Sequence, residues 1–203
     1  MILRGANVDK VQNFWRWFEL HENELFDIVS YDAHVLDLLR DELQKVRDGL
    51  TFELGSTAET RELVISADGD KNIFQQAISL VEASPNLRRW HFLALRPRGV
   101  FPVEITVGAK AADSTDVLFS LLDNGKVAGI RLFIPGYEVN DLAWREIGYL
   151  LLDHALGEYD VEQNLPLIKM YSPQEATVER RYPLIELPEK FDLLQRKLSG
   201  TKI

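Results

Sequence analysis

The sequence predicts an α+β fold: an antiparallel sheet with helices packed mainly on one face, in a single domain spanning residues 1–203. Three observations carry that expectation. Apolar residues recur at helical spacing near both ends and after residue 140. Short runs rich in β-branched and aromatic residues fill the middle. Several of those runs follow one another through turn residues alone, which favours an antiparallel meander over βαβ units.

Asn7 is placed to cap a first helix whose apolar face reads Val11, Phe14, Trp15 and Phe18, with Leu25 after a polar turn. A second helix follows Asp32, with Val35, Leu38, Leu39 and Val46 on one side and Asp37, Arg40, Asp41 and Lys45 mostly opposite. Gly49 closes it. The runs LTFEL (50–54) and ELVIS (62–66) read as a hairpin with a loop. Asp68-Gly69-Asp70 is a turn, and Asp70 caps a helix carrying Phe74, Ala77, Ile78 and Val81 that Ser84-Pro85-Asn86 stops. Strands WHFLAL (90–95), VEITV (103–107), VLFSLL (117–122) and VAGIRLFI (127–134) come next, the last two joined through an Asn124-Gly125 step that favours a hairpin. Asn140 is the expected cap of the longest helix, whose stripe is Ala143, Ile147, Leu150 and Leu151, completed by His154 or Ala155. PLIKMY (166–171) reads as a strand. Pro188 opens a final helix holding Phe191, Leu194 and Leu198, which Gly200 closes.

Composition narrows the function classes. The chain is long enough for one substantial core, and its 46% apolar and 27% charged residues are those of a soluble globular protein. With 23 basic against 32 acidic residues the formal charge is -9, which repels phosphate backbones and disfavours non-specific nucleic-acid binding. The absence of cysteine removes disulfides, thiolate metal sites and cysteine nucleophiles. No signal-peptide run opens the chain and no apolar stretch approaches about 20 residues, so neither secretion nor a membrane span is expected. The expected compartment is the cytoplasm.

Two segments attract a functional reading. In HALGEYD (154–160), Gly157 suits a left-handed helix end and His154 lies in the last turn, so a helix stop explains both residues. The acids that follow leave room for more: Glu158 and Asp160 in a cleft could hold a hard cation, or one could act as a base with His154. In LRRWHFLALRPRG (87–99), Arg96 and Arg98 flank Pro97 at a strand end, and guanidinium groups grip carboxylates through two hydrogen bonds. We expect Arg96 or Arg98 to approach the Glu158/Asp160 segment. The ligand-binding candidates are therefore Arg96, Arg98, His154, Glu158 and Asp160, for a carboxylate or phosphate ligand; surface ion pairing is the alternative.

Other signals are weaker. Asp68, Asp70 and Asn72 alternate as in a calcium loop, but Ile73 stands where glycine is required and Ser79 where glutamate is required. No second histidine lies four residues from His154, and no phosphate loop or nucleophile elbow is present, so no metal and no cofactor are expected. Phe14 to Phe18 (FWRWF) spreads large aromatics around more than one helix face, which makes Trp17, with Trp144, a candidate for an interface.

Taken together, FWRWF, the ISADG turn, WHFLALRPR and LLDHALGEYD resemble a family of uncharacterised bacterial proteins described as a domain of unknown function, along most of the chain. The resemblance implies one bacterial cytoplasmic domain and carries no assigned chemistry. The expectation for function is a non-enzymatic binding or regulatory protein that engages a protein partner through its acidic surface. The alternative is a small-molecule-binding protein or hydrolase built on the Arg/His/carboxylate residues above; whether the chain is an enzyme, and its oligomeric state, stay open.

Overall fold

A computed structural model describes residues 3–28, 33–56, 59–175 and 180–200, and the fold is α+β. The chain divides into two compact units, residues 1–96 and 97–203, each with its own cluster of buried side chains.

The first unit opens with α1 (Leu3–Leu20), α2 (Glu22–Phe26) and α3 (Ala33–Val46). Asn7 lies inside α1 rather than at its cap, because the helix already runs from Leu3; Asp32 falls outside the described residues. Strands β1 (Thr51–Ser56) and β2 (Arg61–Ser66) form the expected antiparallel hairpin. Asp70 caps a short 3-10 turn by accepting from the Asn72 amide at 2.9 Å, and α4 (Phe74–Glu82) leads to β3 (Trp90–Ala94). The register aligns Leu54, Leu63 and Phe92, and likewise Phe52, Ile65 and Ala94, so alternate residues of the three strands share one face. That face buries against Phe14, Trp15, Phe18, Leu39 and Leu43 of the helices. Trp15 donates its indole N–H to the Leu80 carbonyl at 2.8 Å, satisfying the polar atom that burial would otherwise strand.

The second unit begins with a hairpin of β4 (Glu104–Val107) and β5 (Lys110–Asp113), followed by the antiparallel pair β6 (Leu118–Asp123) and β7 (Ala128–Phe133). Helices α5 (Leu142–Leu156) and α6 (Glu158–Asn164) lead to β8 (Leu167–Tyr171), and a two-residue β9 (Tyr182–Pro183) precedes α7 (Leu187–Gly200). The sheet order is β8-β7-β6-β9. Aligned Leu121, Ile130 and Ile168, and Phe119, Leu132 and Met170, bury with Ile147, Leu151 and Ala155 of α5 and Phe191 of α7. Capping of α5 falls to Asp141, whose side chain accepts from the Ala143 amide at 2.9 Å, one residue beyond the expected Asn140.

The meander expectation needs correction. β3 runs parallel to β2 and β8 parallel to β7, each after a helical crossover, so the described residues form three sheets, two of them mixed. A parallel return requires a long connection, and α4 and α5–α6 supply it. Both units therefore repeat one ββαβ order: an antiparallel pair, a helix, then a third strand parallel to the second.

Trp144 is a core residue, 6% exposed, which leaves it little surface for the interface role expected of it. Gly136 makes that burial feasible. Its φ is +80°, which suits glycine, and a Cβ there would lie 2.8 Å from the indole ring. Gly136→Ala is expected to destabilise the protein by about 2–4 kcal/mol through backbone strain and overpacking, with Trp144 fluorescence altered in the folded state. Denaturant unfolding monitored by that fluorescence checks it.

Candidate functional site

The residues of interest in the second unit gather where α5 ends. Gly157, with φ 82° and ψ 143°, terminates α5 and starts α6, so Glu158 and Asp160 occupy the first turn of a helix rather than a loop. Helix ends leave carbonyls without intrahelical partners, and here Arg98 meets one: its Nε donates to the Leu156 oxygen at 2.9 Å. The same guanidinium donates through Nη2 to Asp160 Oδ2 at 2.8 Å, and through Nη1 and Nη2 to the two oxygens of Asp192 on α7 at 3.0 and 2.9 Å. Asp160 Oδ1 also accepts from the Asn164 side-chain Nδ2 at 2.9 Å.

His154 seals the neighbouring segment. Its backbone oxygen accepts from the Gly99 amide at 2.7 Å, and its Nε2 donates to the Val100 carbonyl at 2.9 Å. The Phe101 ring stands edge-on to the imidazole at 5.2 Å between centroids. A Cβ on Gly99 would fall 2.0 Å from Cε1 of His154, so only glycine allows the chain to lie against the ring. The expected approach of an arginine to Asp160 is made by Arg98. Glu158 sits differently: it is fully buried and presents no oxygen to solvent.

Arg96 has partners of its own. It belongs to the first unit, where it pairs with Glu53 and, at 3.1 Å, with Asp68. Two arginines only two residues apart thus fasten different units. Trp17 is half-buried on α1 and stacks on His21 at 4.5 Å.

The electrostatics follow from these contacts. One guanidinium faces two carboxylates, with Arg196 adding a second positive charge beside Asp192, so the Arg98 cation is already engaged by internal acceptors. The Asp192 hydrogen bond first, and Asp160 after it, raise the Arg98 pKa further above its ordinary value, against the opposing effect of burial. Reciprocally, the Arg98 hydrogen bonds hold Asp192 below the usual carboxylate range. An incoming phosphate or carboxylate would have to displace these acids. Among the described residues no group of three or more histidine or carboxylate side chains is arranged to hold a metal ion, and no described helix is long and apolar enough to cross a membrane.

Asp192 is the participant that sequence reasoning missed. It lies 94 residues from Arg98 on the polar side of an amphipathic helix, where nothing local sets it apart from other surface acids. No family model, curated protein or solved structure matches the chain.

Arg98→Gln removes a helix-end hydrogen bond and two ion pairs of partly exposed groups, so denaturant unfolding is expected to show a loss of about 1–2 kcal/mol. The pair also sets a pH dependence. Because the Asp192 pKa is depressed on folding, its contribution is complete above the ordinary carboxylate range and is lost as pH falls through the lowered value. Asp192→Asn should therefore flatten the acid limb of the stability curve while leaving its slope above pH ~6 unchanged. Thermal unfolding across pH reads both.

Proposed function

We propose that this protein is a binding or regulatory protein that acts through its acidic surface on a protein partner. One observation carries the reading. The cation best placed to recognise a small anionic ligand, Arg98, is spent on Leu156, Asp160 and Asp192, so this cluster works as a latch between helix ends. His154 is likewise committed to the Val100 carbonyl and packed against Gly99 and Phe101.

The charge distribution supports the same reading. Residues 1–96 hold 16 acidic and 11 basic side chains, and residues 97–203 hold 16 and 12, so both units contribute to the negative surface. On α3 the exposed side carries Asp37 and Asp41, with Arg40 between them paired to Asp37. Such a surface accelerates encounter with a basic partner and discriminates against acidic ones.

The test is salt-dependent capture. The immobilised protein should retain one specific partner from a bacterial lysate at about 0.05 M salt and release it near 0.5 M. Asp37→Lys combined with Asp41→Lys should weaken capture, with the thermal midpoint held close to wild type. The reading fails if phosphate or citrate raises that midpoint by several degrees and Arg98→Gln abolishes the rise, because the cluster would then be a ligand site.

A further inference from the structure

Over the first two turns of α5 the side turned away from its core is a stripe of four residues; further along, the same side is buried at Asp153 and Leu156. Trp144, Ile147, Gly148 and Leu151 are buried. On the opposite side stand Leu142, which is 77% exposed, then Arg145 and Glu146, both exposed, then a half-buried Tyr149. Spacings of three and four place these side chains in one row along the helix. Among the described residues neither Arg145 nor Glu146 takes part in an ion pair; Arg145 leans toward the Tyr149 ring, its Cζ 5.8 Å from the centroid, and lies near enough to Tyr137 to act on its hydroxyl. Val139, also 77% exposed, extends the apolar surface just before the helix.

The order of chemistry in this row is self-complementary. From the midpoint between Arg145 and Glu146, a charge comes first in each direction and a large apolar side chain three residues beyond it. The two central charges have opposite sign. We propose that a second copy of this chain docks here, the two α5 helices antiparallel about a two-fold axis between residues 145 and 146. Such an axis sets Arg145 against Glu146 of the second copy and Leu142 against its Tyr149, each contact occurring twice, as an isologous interface requires. A uniformly basic partner would pair with Glu146 but meet Arg145 with like charge, and an acidic partner would do the reverse. A second copy supplies both signs at the right spacing. Two exposed helical turns per chain make a small contact, and each copy carries -9, so the dimer is weak and depends on concentration.

This inference is independent of the partner reading above and is tested on the purified chain alone. Sedimentation velocity over the micromolar range should show the average mass rising from the 23.3 kDa monomer toward twice that value. Arg145→Glu places like charges together at the axis and should weaken association about tenfold or more; the double change Arg145→Glu with Glu146→Arg restores the pairing and should recover most of it. Leu142→Asp should weaken association as well. The substituted side chains are exposed, so circular dichroism, and thermal midpoints taken at concentrations where wild type is monomeric, should match wild type. A monomer throughout the series, a dimer indifferent to Arg145→Glu, or a double variant that associates no better than the single one each overturns the proposal.

Discussion

A guanidinium holding the end of a helix is the constraint that ties together α5, α6 and α7 of the second unit. α5 finishes with a carbonyl that has no partner within its own helix, and a lost hydrogen bond there would be costly because so much of the helix is buried. Arg98 meets that carbonyl and uses its remaining edges to hold one carboxylate from α6 and another from α7. The planar fork suits this task where an ammonium would not, since its donors point in fixed directions. The segment carrying Arg98 is held in turn by the Gly99 and Val100 contacts with His154. One side chain thus orients three helices.

The latch belongs to an architecture that occurs twice. In both units an antiparallel pair is followed by a helical crossover and a third strand parallel to the second. A hairpin alone buries too little to be stable; a crossover helix covers one face and the third strand protects an edge. The two versions differ in how that cover is completed. In the first unit it comes from α1–α3, rich in aromatic side chains; in the second it comes from α5, α7 and the β4–β5 hairpin. The sequence shows no internal repeat, because buried strands and amphipathic helices impose only a pattern of polarity, which many residues satisfy.

Legibility followed locality. The β1–β2 and β6–β7 hairpins, the Asp70 cap and the α5 core stripe were readable because period, turn residues and caps act over a few positions. Gly157 was readable as a helix end for the same reason. The parallel pairings were not, since the choice of sheet neighbour for β3 or β8 depends on where a crossover helix packs. Helix α6 was hidden by its acidic residues, which resemble a loop, and β9 by being only two residues long. Trp144 looked available because a single helix period does not reveal that Gly136 brings backbone against its ring.

By itself, the sequence determined the α+β class, most of the elements, the acidic charge and the tendency of an arginine near residue 97 to seek the acids after α5. Each of these rests on composition or short-range periodicity, which act before the chain has a tertiary structure. Tertiary structure alone decided that Arg96 and Arg98 serve different units, that Asp192 completes the latch, that Glu158 is buried, and that the core divides in two. Those outcomes require residues tens of positions apart to meet, and packing geometry rather than local preference selects which of many equivalent acids or apolar side chains does so.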